Sequence, residues 1–275
     1  MKKRSIDYGG VKGNQMKRLC TVIMVSFTIT LYATSWSFGQ GSTKRTTKSP
    51  ESLDLMSLDV IDVLKVEAAL MGTRWELAVG SQKDAPKSNE GALEDFSKWL
   101  KKYETKEESL GLQYEKNVRK ILGNFKLIGN DLGKFVCDSV CGPVRFAQKQ
   151  DGIVFLVTNV FSDNVYNTLR TTAKTRASKI IASMILPSMK AFYNSFGTTD
   201  IKYYGMVVAY GSKDFSKEGN VLNLRAEVVS LIVSAQTCKK FVEGIITDDE
   251  LINASEIYSQ DRDVKHLKRI KVNLE

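Results

Sequence analysis

Residues 153 to 160, IVFLVTNV, decide the fold. The run opens with unbroken apolar residues, the pattern of a strand covered on both faces. Gln150-Asp151-Gly152 stands immediately before it as a turn, and Pro143 to Gln148 before that forms a partner strand, so the three pieces describe a hairpin.

Downstream, the spacing predicts a long helix starting near Asp163, with Val165, Leu169, Ala173, Ile180, Met184 and Phe192 turned inward. Pro187 should kink or break it, since proline removes a backbone donor and clashes with the preceding turn. Strands follow at Ile201 to Tyr210 and Leu224 to Ser234, joined by the polar loop GSKDFSKEGN. A helical stretch then covers about Thr237 to Tyr258, broken at Gly244, and Thr247 with Glu250 forms a capping box inside it. Ile270, Val272 and Leu274 alternate with polar residues as a half-buried strand does. From Ile153 the order is therefore β-α-β-β-α-β. That is the split order of ferredoxin-like folds, an antiparallel sheet carrying both helices on one face.

Upstream the pattern is helical. Ser49, Pro50 and Glu51 suit an N-cap, a first-turn proline and a first-turn acid, and Leu53, Met56, Val60, Val63 and Leu64 recur at helical spacing up to Gly72. Trp75 to Val79 reads as a short strand. Leu93, Phe96, Leu100 and Tyr103 mark a second amphipathic helix, and a third runs from Glu107 to Leu122, ending at Gly123. The organisation expected is a leader over 1–39, a polar linker over 40–49, a helical segment over 50–123 and an α+β domain over 124–275.

The leader explains most of the charge. The chain carries 40 basic and 31 acidic residues, a net charge of +9. Lys2, Lys3, Arg4, Lys12, Lys17 and Arg18 face only Asp7 before Leu19; Lys44, Arg45 and Lys48 follow in the linker, and from Ser49 onward cations and anions nearly balance. That balance weighs against a nucleic-acid partner. The basic stretch is followed by the apolar run LCTVIMVSFTITL, ending at Leu31, and then by small and polar residues, the layout of a secretory signal peptide. Cleavage after Gly39 or after Ser35 fits, and Met16 is an alternative start. The rival reading is an uncleaved membrane anchor, which would keep the N-terminal segment in contact with the membrane. Either way the body is expected outside the cytoplasm, periplasmic or secreted.

Removal of the leader takes Cys20 with it and leaves Cys137, Cys141 and Cys238. Cys137 and Cys141, in FVCDSVCGP, form a disulfide if their Cα atoms come within about 7 Å; otherwise they are unpaired apolar thiols, or a metal or redox pair without a second pair of ligands.

The single histidine, His266, excludes mechanisms that need two imidazoles. No phosphate-binding loop, dinucleotide fingerprint, nucleophile elbow or calcium loop is present, so no catalytic residue, metal ligand or cofactor is assigned. Asp248, Asp249 and Glu250 follow Thr247, where negative charge suits a helix dipole. Asp261 and Asp263 read as a solvated turn. Two features carry recognition chemistry. Arg170, Lys174 and Arg176 fall on or near the face of the long helix opposite its apolar stripe, where they could meet an anionic partner or a lipid headgroup. Tyr203, Tyr204 and Tyr210 lie on a strand beside a polar loop and could form a recognition surface, although packing explains them equally well. The reading is an exported non-enzymatic α+β protein that binds an envelope protein or ligand, with an exported hydrolase or a membrane-tethered accessory protein as alternatives.

Overall fold

Why the run at 153 to 157 is apolar on every residue is answered by what lies above and below it. The computed structural model describes residues 58–81, 97, 106–124, 144–216, 224–260 and 266–274. The chain divides into Met1–Glu51 and Ser52–Glu275. The first unit lies wholly outside the described residues, as do the cap at 49–51, the helix marked by Leu93, Leu100 and Tyr103, Cys137, Cys141, Asp261 and Asp263.

Strand β1 (Val144–Lys149) and strand β2 (Gly152–Asn167) form the expected antiparallel hairpin, with Lys149 opposite Gly152 across the turn at Gln150 and Asp151. Along β2, Phe155 and Val157 point into one apolar layer while Val154 and Leu156 point into the other. The second layer is closed by helix α1 (Val60–Ser81), whose Val60, Val63, Leu64, Ala68 and Met71 pack on the sheet. Both faces of β2 are thus shielded from water, which is the reason for the unbroken run.

The first layer is larger. Helices α2 (Lys106–Gln113) and α3 (Glu115–Asn124) are separated at Tyr114, and α3 adds Val118, Ile121 and Leu122 to the layer. The crossover after β2 adds α4 (Ala173–Ile180), a π-helical turn (Ile181–Ile185) and α5 (Leu186–Phe196). Strands β3 (Tyr203–Lys213) and β4 (Arg225–Ser234) follow, then α6 (Ala235–Val242), α7 (Asp248–Asn253), β5 (Glu256–Gln260) and the two-residue β6 (Lys268–Arg269). Cys238 of α6 and Leu251 and Ile252 of α7 join the same layer.

The fold is α+β with a mixed six-stranded sheet. The succession β-α-β-β-α-β is present from β2 to β5, but the strands lie in sequential order, with β2 and β3 parallel and every other pair antiparallel. This differs from the interleaved ferredoxin-like order. Val154 pairs with Tyr203, so the crossover returns β3 directly beside β2 and leaves no gap for another strand.

Four local expectations are corrected by the packing. Residues 75–79 continue α1 rather than forming a strand, since Gly72 within a helix costs only about 1 kcal/mol and the helix lies along the sheet. The helix expected from Asp163 begins at Ala173, because β2 extends to Asn167 and Thr172 then caps α4 through a hydrogen bond from the Thr175 amide. Val165 is consequently a strand residue paired with Gly211, and Leu169 sits exposed in the following turn. The helix expected to reach Tyr258 ends at Asn253, and residues 256–260 form β5. At the C-terminus only Lys268 and Arg269 pair as strand, although Val272 is buried as its apolar character requires.

Breaks and caps follow from local chemistry. Pro187 has no amide hydrogen to give the Ser183 carbonyl; just before it the helix widens into the π turn, where the Leu186 amide reaches back to the Ile181 carbonyl. Gly244 adopts φ +72° and ends α6 with the Ile245 amide on the Lys240 carbonyl and the Gly244 amide on the Phe241 carbonyl, a Schellman arrangement. The capping box of Thr247 and Glu250 is formed at the start of α7.

Gly205 marks a close approach in the interior of the sheet. A Cβ there would stand 2.4 Å from Leu156 Cδ2 and 3.2 Å from the Leu231 carbonyl oxygen. Gly205→Ala is therefore expected to destabilise the protein by about 1–3 kcal/mol in urea unfolding. An unchanged midpoint would mean that Leu156 moves aside freely.

Candidate functional site

Strands β1, β3 and β5 and the β1–β2 turn bring five polar or aromatic side chains together at one end of the sheet. Lys149, the last residue of β1, forms an ion pair with Glu256, the first residue of β5, at 2.6 Å. Its ammonium nitrogen also stands 4.2 Å from the ring centre of Tyr203, the first residue of β3. The Tyr203 hydroxyl donates to Asp151 Oδ2 at 2.6 Å, and the Tyr258 hydroxyl donates to Glu256 Oε2 at 3.1 Å. One cation thus ties together two phenol–carboxylate pairs. Alternation along each strand puts Lys149, Tyr203, Glu256 and Tyr258 on the α1 side of the sheet, beyond the start of that helix.

The electrostatics keep the cluster in one protonation state. The hydrogen bond to Asp151, together with partial burial and the charges of Asp151 and Glu256, pushes the Tyr203 phenol up to about 12. Burial, then the neighbouring Glu256, raises Tyr258 to about 12 as well. The same Tyr203 hydrogen bond holds the Asp151 carboxyl below its ordinary value. Partial burial of Glu256 acts upward but is outweighed by the hydrogen bond and charge of Lys149, leaving that carboxyl lowered. At neutral pH both phenols are protonated and both carboxylates ionised. A general acid or base needs a pKa near the working pH, and none of these four groups is shifted toward it.

A lowered folded-state pKa means that the carboxylates stabilise the fold above their unfolded values and lose that contribution as pH falls through the folded ones. The Glu256 side-chain carboxyl is expected to titrate below 4.5 by NMR, and Lys149→Ala should move its midpoint upward. A wild-type midpoint at or above 4.5 would contradict the ion pair.

Of the residues singled out in the sequence, only Tyr203 belongs to this cluster. Tyr204 is buried in the helical layer with its ring stacked 5.8 Å from Phe192, and Tyr210 is buried edge-on to Tyr166 at 5.7 Å. Both are core residues, because alternation along β3 turns even-numbered positions toward the helices. Arg176 is not on an outer face: it is buried and paired with Glu227 of β4 through two hydrogen bonds of 2.8 and 2.6 Å, with a third to the Thr171 carbonyl. The helical face was misjudged because α4 starts at Ala173, ten residues after the expected start at Asp163. Arg170 and Lys174 are exposed at the opposite end of the sheet. Cys238 is buried, its thiol raised to about 12 by desolvation, and is inert as a nucleophile. His266 is exposed.

Lys149, Asp151, Glu256 and Tyr258 went unread in the sequence. Lys149 and Glu256 are 107 positions apart, and residues 256 to 258 read as helix, so no local pattern joined them. Among the described residues no group of three or more His, Cys, Asp or Glu side chains could hold a metal ion, and no helix is long and apolar enough to cross a membrane.

The fold is α+β, and at one end of its mixed sheet Lys149 joins two phenol–carboxylate pairs. No protein-family model, curated protein or solved structure matches the chain.

Proposed function

We propose that this chain is an exported, non-enzymatic binding protein, an envelope binding or assembly component that engages its partner through Lys149, Tyr203, Asp151 and Glu256, with the buried Tyr258 holding Glu256 from beneath. The export part rests on the basic leader and the apolar run ending at Leu31. The observation that carries the binding part is geometric: at one end of the sheet Lys149 joins the Tyr203–Asp151 and Tyr258–Glu256 pairs, through its contact with the Tyr203 ring and its ion pair with Glu256. Aromatic rings backed by fixed charges are the groups that dominate recognition surfaces. Two buried charged pairs elsewhere, Arg176 with Glu227 and Arg145 with Glu67, are consumed by packing.

Partner capture from intact envelope fractions tests both parts. Wild-type protein carrying a C-terminal tag should be recovered from the envelope with a reproducible partner, and Tyr203→Ala combined with Lys149→Ala should lose that partner while keeping the wild-type urea midpoint within about 1 kcal/mol. Recovery in the cytosol would overturn export. Retention of the partner by the double variant would overturn the site. The membrane-tethered reading is separated by mass spectrometry of the N-terminus, where an intact leader means a tether.

A further inference from the structure

The far end of β2 and β3 presents the opposite chemistry. Val165, Leu169 and Phe215 are 40%, 63% and 50% exposed there, although each is apolar. They belong to one tip: Val165 pairs with Gly211, Asn167 with Lys213, and the Thr168 amide donates to the Lys213 carbonyl at 3.0 Å, so Leu169 and Phe215 leave the paired strand ends together. Cations surround them. Arg170, next to Leu169 in the chain, and Lys174, in the first turn of α4, are exposed; Lys213 stands 5.5 Å from the Phe215 ring centre, and exposed Arg225 of β4 pairs with Ser212. The described acid of the tip, Asp214, accepts from the Ser216 amide and hydroxyl at 3.0 and 2.6 Å.

We infer that this tip docks on an anionic lipid surface. Aliphatic and aromatic side chains that project from a ring of cations meet both requirements of an interfacial anchor, apolar area for the acyl boundary and positive charge for the headgroups. A protein partner of ordinary kind would match the apolar part, but among the described residues of the tip the excess of four cations (Arg170, Lys174, Lys213, Arg225) over one acid (Asp214) selects a surface with dense negative charge. The inference is independent of the partner held by the Lys149 cluster.

The test places a reporter in the tip of the full chain. Leu169→Cys is treated with a water-soluble maleimide, and its modification is followed by peptide mapping so that the four native cysteines do not interfere. The thiol should react freely in buffer, be protected by vesicles containing phosphatidylglycerol, and stay reactive with phosphatidylcholine vesicles. Adding Arg170→Gln, Lys174→Gln and Lys213→Gln should raise the half-protecting lipid concentration on the order of a hundredfold, from about fivefold per cation. Phe215→Ser should raise it about tenfold. Protection already present in buffer would mean that another part of the chain covers the tip and would overturn the inference. Equal protection by both lipids, or none by either, would overturn it too, whichever way the leader behaves.

Discussion

Glu227→Ala is expected to destabilise the protein by about 3–5 kcal/mol, because it removes a fully buried carboxylate that takes two hydrogen bonds from the buried Arg176 guanidinium. Glu227 is fully buried on β4 and Arg176 almost so on α4, and both carboxylate oxygens accept from the guanidinium. A further hydrogen bond, from Arg176 to the Thr171 carbonyl at 2.5 Å, holds the residue before the α4 cap, so the pair fastens the start of the crossover to the sheet. Burial, then the charge of Glu227, pushes the nearby Tyr210 phenol well above its ordinary value. The measurement is urea unfolding of the single variants and of Arg176→Met combined with Glu227→Leu. The double variant removes both charges and should recover most of the loss, since a well-packed apolar pair is often as stable as a buried ion pair. A loss below about 1 kcal/mol for Glu227→Ala would show that Arg176 regains water, and the pair would then contribute little to the fold.

Phe155→Ala is expected to destabilise by a similar amount, about 3–5 kcal/mol, for a different reason. Its ring lies 4.4 Å from Phe196, 5.4 Å from Phe146 and 6.0 Å from Phe192, centre to centre, and so joins the hairpin to the crossover helix. Truncation removes a fully buried ring and leaves a cavity between elements that cannot collapse, since β2 is held by β1 on one side and β3 on the other. Thermal unfolding should shift downward by about 10 °C or more. Phe155→Leu, which keeps most of the volume, should lose about half as much or less. Equal losses from the two variants would indicate that ring-specific packing rather than cavity volume dominates the site.

The two predictions differ in how visible they were beforehand. Phe155 stands in the run that announces a strand covered on both faces, and its burial followed from that pattern. Arg176 sat in a helix of the right type, but the helix phase was taken from Val165 and Leu169, which are a strand residue and a turn residue. Their four-residue spacing imitated a helical stripe, and only the pairing of Val165 with Gly211 removes the ambiguity. The same limitation hid the candidate site. Tyr203 was visible as an aromatic on a strand, whereas Glu256 and Tyr258 were hidden by a helix drawn to Tyr258, past its end at Asn253.

By itself the amino-acid order determined what a few neighbouring residues decide: the hairpin at Gln150 and Asp151, the double-sided burial of β2, the interruption at Pro187, the stop at Gly244 and the cap at Thr247. These depend on proline's missing donor, glycine's freedom at positive φ and side chains that reach an amide three residues away. Tertiary structure alone decided the strand order, the burial of Arg176 against Glu227 and the meeting of Lys149 with Glu256. Those partners are 51 and 107 positions apart, and desolvation and charge pairing depend on distance in space, which residue order does not contain.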